Sequence, residues 1–81
     1  MPTYLRNEKF IKQFAKRVRR LRRSKDLTIE QLSKQSGIQA NYIARIERAL
    51  VNTSISHVYY LAKALKMKPR DMFDFDDEEF K

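Results

Sequence analysis

The 81-residue chain contains no cysteine, which excludes disulfides, thiolate zinc sites and cysteine nucleophiles. Histidine occurs once, at His57, and no second metal ligand accompanies it, so it reads as a surface residue of a helix. No paired carboxylates, glycine-rich phosphate loop or Ser/His/Asp arrangement can be assembled. The expectation is a protein that is not an enzyme and takes no cofactor and no metal. No apolar run approaches the roughly 20 residues of a membrane span. No hydrophobic block follows the N-terminal positive charges, so neither a membrane partner nor a secretory signal is expected, and the chain reads as cytoplasmic.

Acid is scarce over most of the length. Residues 1–70 hold 17 basic side chains and only the acids Glu8, Asp26, Glu30 and Glu47, whereas residues 71–81 hold six acids and Lys81. The formal net charge is +8. Such an excess favours a polyanionic partner, and a basic body with a short acidic tail suits nucleic acid better than a membrane surface. The length allows one domain, 1–81, with a core over 10–73, an N-terminal arm over 1–9 and an acidic tail over 74–81.

One glycine and two prolines leave helical spacing dominant. Phe10, Phe14, Val18 and Leu21 form one apolar stripe on a first helix from about Asn7 to Ser24. Lys9, Lys12, Lys16, Arg17, Arg19, Arg20 and Arg23 surround it, mostly as a solvated face. Thr28 and Gln31 form a T-x-x-Q capping box that opens a second helix. Leu32 faces the core there, with Ile29 nearby, and Ser33 is small enough for a close helix crossing. Gly37 follows Ser36, where a left-handed residue without a Cβ ends a helix most easily. A third helix runs from near Gln39 to about Arg48, with Ile38, Ile43 and Ile46 inward. Thr53 or Ser54 caps a fourth, whose expected core stripe is Ile55, Val58, Tyr59, Ala62 and Leu65. Pro69 suits the first turn of a short fifth helix, Arg70 to about Asp74. The tail from Asp74 to Lys81, with Phe75 and Phe80 among its acids, is expected to fray in part.

A capped helix, a small residue at Ser33, a glycine turn and three inward isoleucines together describe a helix-turn-helix. The segments VRRLRRSKDLT, IEQLSKQSGI, YIARIER and ISHVYYLAKALKM resemble the Cro/repressor-type, or XRE, family over Val18 to Met67. IERALVNTSI further resembles restriction–modification controller proteins. The resemblance implies an all-α, compact five-helix, lambda-repressor-like domain. It implies a sequence-specific regulator of transcription, acting as a homodimer on palindromic double-stranded DNA. An antitoxin-type module that binds a toxin and DNA secondarily is the alternative, and RNA polymerase is a further partner to consider.

Residue by residue, the resemblance puts Gln39, Ala40, Asn41 and Arg45 at groove-facing positions. Asn41 can pair bidentately with adenine and Arg45 with guanine; Ala40 can touch a thymine methyl. Gln39 suits a phosphate or an adenine, and Tyr42 either a phosphate or a half-buried packing role. Thr28, Arg48 and Asn52 complete the expected DNA contacts. Glu47 is the sole acid of the third helix, and the resemblance pairs it with Arg22. Tyr60, Met72, Phe73 and Phe75 are the expected dimer interface. Three departures from the family stand out: Ile29 where a phosphate-contacting glutamine is usual, Ala49 in place of glycine, and Leu50-Val51 in place of basic residues.

Overall fold

The computed structural model describes residues 5–75. The first four residues of the expected arm, and 76–81 of the expected tail with Phe80, lie outside them.

Among the described residues there are four α-helices, one 3-10 turn and no strand. Helix α1 spans Glu8–Ser24 and is capped by Asn7, whose side chain accepts from the Phe10 amide at 2.8 Å. Its apolar stripe buries Phe14, Val18 and Leu21, together with Ala15. Helix α2, Ile29–Ser36, opens on the reciprocal box: Thr28 Oγ1 accepts from the Gln31 amide at 3.1 Å, and Gln31 Oε1 accepts from the Thr28 amide at 2.8 Å. Helix α3 is Ala40–Glu47, with Ile43 and Ile46 buried. Helix α4 is Ile55–Ala64, capped by Ser54, which accepts from the His57 amide at 3.1 Å. α2 packs on both α3 and α4, and α1 packs on α3.

Three expectations require correction. The fifth helix is a 3-10 turn over Pro69–Phe73, lying between α1 and α4. The buried face of α4 is Val58, Leu61, Ala62 and Leu65; Ile55 is 88% exposed and Tyr59 about half exposed. Met72 is fully buried and belongs to the central core, so it cannot serve a dimer interface. Phe73 and Phe75 are partly consumed within the chain as well. Phe73 stacks on Phe14 at 5.2 Å between centroids, and Phe75 tilts against Phe10 at 5.4 Å.

Four residues adopt positive φ: Asp26 at 57°, Gly37 at 80°, Ala49 at 60° and Lys66 at 58°. Those near 60° have the φ of the narrow left-handed well open to L-residues, whereas Gly37, at φ 80° and ψ 3°, falls outside it. A Cβ at Gly37 would meet no atom within 4 Å, so only backbone strain opposes a side chain there. Gly37→Ala is therefore expected to lower unfolding stability by about 1–2 kcal/mol. Ala49→Gly should leave stability unchanged or raise it by less than about 1 kcal/mol. Urea titration of the two variants checks the contrast in sign.

Candidate nucleic-acid interface

Positioning of α3 begins in the turn that precedes it. The Gly37 amide donates to the Ser33 carbonyl at 2.8 Å. The Ile38 amide donates to Ser36 Oγ at 3.1 Å, and Ser33 Oγ donates back to the Ile38 carbonyl. Ser33 thus closes the turn by a hydrogen bond, in addition to being small. Ile38 enters the core immediately before α3, and this fixes which side of α3 faces outward.

The outward side carries Asn41, Arg45 and Arg48, spaced by 4 and 3 residues and all exposed. At 3.6 residues per turn they form one row, opposite buried Ile43 and Ile46. Gln39 precedes the row as the α3 N-cap residue; it is exposed and its side chain makes no capping bond. Ala40 is half-buried at the flank. Thr28 and Asn52 sit apart from the row, at the start of α2 and in the loop that follows α3; both are exposed.

Tyr42 is half-buried, and its ring lies 4.6 Å from that of His57. The Arg45 guanidinium stands 6.0 Å over the same ring, at the outer range of a cation–π contact. His57 Nδ1 is in turn 2.8 Å from Ser54 Oγ. The capping residue of α4 is therefore linked through two rings to the outer row of α3. Sequence spacing gives Ser54–His57 as an i, i+3 pair but holds no signal for the Tyr42 contact, which depends on how α3 and α4 cross.

The other end of α3 is held by Glu47. Arg22 Nε and Nη2 donate to the two Glu47 carboxylate oxygens at 2.7 and 2.9 Å, and Arg22 Nη1 donates to the Leu27 carbonyl at 2.8 Å. The side chains are only 11% and 5% exposed. Donation to the Glu47 carboxylate raises the Arg22 pKa above its ordinary value; burial opposes this, and the charges of Glu47 and Glu30 add to it. The shift keeps Arg22 charged at any working pH, so the ion pair always has its cation.

The departures in the loops also find physical reasons. Ile29 and Val51 are partly buried against the core, so hydrophobic burial occupies positions that a phosphate contact would need. Leu50 is exposed. Arg6, which carries no signal in the sequence pattern, pairs with Glu8 and donates to the Ala49 carbonyl at 3.4 Å, which ties the segment before α1 to this loop. Among the described residues, no group of three or more His, Cys, Asp or Glu could hold a metal ion. No helix among them is long and apolar enough to cross a membrane.

A zipped glycine turn, a short helix with a polar outer row and an arginine–glutamate tie behind it define a helix-turn-helix module of the DNA-binding type. The chain belongs to the helix-turn-helix (HTH_3) family, whose model matches residues 18–72. It is 35% identical over 63 residues to control protein C.BamHI of Bacillus amyloliquefaciens, covering 76% of this chain and 78% of that protein. An HTH-type transcriptional regulator of Archaeoglobus fulgidus is 33% identical over 63 residues, covering 78% of this chain and 90% of that one. The crystal structure of the restriction-modification controller protein C.AhdI from Aeromonas hydrophila superposes with a TM-score of 0.76 at 36% identity. That match covers 78% of this chain and 96% of the controller.

Removing one partner of a nearly buried, hydrogen-bonded ion pair strands the other charge, at a cost of about 3–5 kcal/mol. Glu47→Gln keeps the shape and some hydrogen bonding, so a loss near the lower end, about 3 kcal/mol, is expected in chemical unfolding. A variant with unchanged stability would show that the tie does not hold α3.

Proposed function

We propose that this chain is a transcriptional regulator that binds a palindromic double-stranded DNA operator as a homodimer and reads its sequence through α3. Exposed Asn41 and Arg45 carry this reading, and Arg48, at the C-cap that ends their row, would hold a phosphate. Their row is the one part of α3 where amide and guanidinium groups project together, and these pair bidentately with adenine and guanine edges in the major groove. Gln39 and Ala40 flank the row at the helix start, where a recognition helix meets base edges. Thr28, at the positive end of α2, and Asn52 would hold phosphates on either side, and Tyr42 would hold Arg45 in place. The likeness to two controller proteins supports a regulatory role.

Selection of random duplexes should enrich one common, inverted-repeat sequence. Against that site, Asn41→Ala and Arg45→Ala should each lose about 1–3 kcal/mol, roughly five- to 150-fold in affinity, and relax preference at one base pair per half-site. Arg48→Ala should weaken all duplexes alike and flatten the salt dependence by about one unit. Enrichment of no sequence at all contradicts the proposal; an unchanged base preference in both α3 variants contradicts the residue roles.

One module reads about half a site, so two must be held roughly 34 Å apart. For the contact between copies, α4 offers Ile55, Tyr59 and Tyr60. Ile55 and Tyr59 share one side of the helix, and the Tyr59 and Tyr60 rings meet edge to face at 5.1 Å. With Met72 inside the core, this exposed apolar strip and the open edge of Phe73 are the surface that a second copy would cover. Ile55→Lys should weaken self-association at least ten-fold in sedimentation equilibrium and leave the melting of the monomer unchanged. An undiminished dimer would move the interface elsewhere.

A further inference from the structure

The outer face of α1 is the strongest charged feature that the α3 interface leaves unused. Lys9, Lys12, Lys16, Arg19, Arg20 and Arg23 all lie on the side opposite Phe14, Val18 and Leu21, and all are exposed. At 1.5 Å per residue the face runs about 21 Å. None of the six takes part in an ion pair among the described residues; the paired cations are Arg6, Arg17 and Arg22. Like charges spaced by 4 residues, such as Lys12–Lys16 and Lys16–Arg20, oppose helix formation by about 0.2–0.5 kcal/mol each. A counter-charge laid along the face would relieve that repulsion.

The chain carries such a counter-charge, and its own path delivers it to this face. Arg17 Nε donates to the Asp71 carbonyl at 2.9 Å, and Arg17 Nη2 stands 3.9 Å from Asp74 Oδ2. Phe75 packs on Phe10 and borders a groove shared with Lys16, Arg17 and Arg20. The next four residues in sequence are Asp76, Asp77, Glu78 and Glu79. Extended, four residues span about 13–14 Å, enough to cross a helix about 10–12 Å wide.

We propose that the acidic segment 76–79 docks on the cationic face of α1 of the same chain. Four carboxylates then stand against six cations, beside the existing Arg17–Asp74 pair. Each exposed pair contributes little alone, but anchorage at Phe75 makes the contact intramolecular, at an effective concentration in the millimolar range. Docking screens α1 from nucleic-acid phosphates and leaves Asn41, Arg45 and Arg48 open. General attraction to any duplex is lowered, and reading through α3 is not.

The absence of cysteine makes a direct test clean. The full chain carrying Lys16→Cys and Glu78→Cys is oxidised at about 0.01 M salt and again at about 1 M, where screening lengths are about 30 and 3 Å. The control pair is Lys34→Cys with Glu78→Cys, Lys34 being exposed on α2. A disulfide within one chain is expected for the first pair at low salt, at least ten-fold faster than for the control and suppressed at high salt. Equal rates for the two pairs, or disulfides only between chains, overturn the proposal.

A second measurement asks what the contact does. Deleting residues 76–81 should raise affinity for an arbitrary duplex about ten-fold at low salt and steepen the salt slope by about 2–4, at roughly 0.9 per cation freed. In a background of Lys12→Gln, Lys16→Gln, Arg19→Gln and Arg20→Gln the deletion should have little effect. An equal gain in both backgrounds would mean that the tail acts by net charge and not by docking. The disulfide result stands whether or not α3 reads a specific site.

Discussion

The Arg22 guanidinium is the joint on which the reading helix depends. Its donors reach both oxygens of Glu47 on α3 and the carbonyl of Leu27 just before α2. Helices α2 and α3 are each only 8 residues long, too short to be stable alone. Their geometry is therefore set by what they pack on and what they are tied to. The apolar core supplies most of the energy, but Ile43 and Ile46 can slide and roll against other hydrophobes. A bidentate arginine–carboxylate contact tolerates little of either, because its two parallel bonds fix direction as well as distance. Such a pair specifies orientation more than it adds stability, which is the property a base-reading helix requires.

The same logic assigns the charges of α1. Arg17 and Arg22 turn toward the body of the protein and bind carbonyls and carboxylates there, while the six outer cations have no such partner among the described residues. Residues of one type on one helix thus do two kinds of work, divided by helical phase. The inner two shape the fold, and the outer six set how strongly the body attracts anions at large. A regulator gains from strong attraction only up to the point where any duplex competes with the right one. A counter-charge within the chain acts on that balance without touching α3.

Much of this was legible in the sequence because α1, α2 and the turn have high contrast. Apolar positions are few and spaced at 3 or 4 residues, the Thr28–Gln31 box is local, and the only glycine sits where φ must be 80°. Helix α4 lacks that contrast. Ile55, Val58, Tyr59, Tyr60, Leu61, Ala62, Ala64 and Leu65 circle the helix, so several stripes fit equally well, and packing on α2 and the 3-10 turn selects Val58, Leu61, Ala62 and Leu65. Met72 is hidden from sequence reading for a related reason. In five residues an α-helix and a 3-10 turn look alike in sequence, and only packing against α1 and α4 decides that Met72 is buried while Pro69 stays exposed. The Tyr42–His57 contact and the Arg6 bond to the Ala49 carbonyl join residues 15 and 43 positions apart, and no local pattern encodes them.

The placement of left-handed residues shows how little glycine this architecture needs. Asp26, Ala49 and Lys66 end helices near φ 60°, within the well that L-residues can occupy at modest cost. In the turn after α2, Ile38 must reach the core one residue later while Ser33 and Ser36 hold both of its backbone groups. The compensation comes from φ and ψ of residue 37, which leave the L-residue well for a region that only glycine enters cheaply. The constraint arises from packing two 8-residue helices around Leu32, Ile38 and Ile43. Glycine is thus required at one point, the point that decides where Asn41 and Arg45 face.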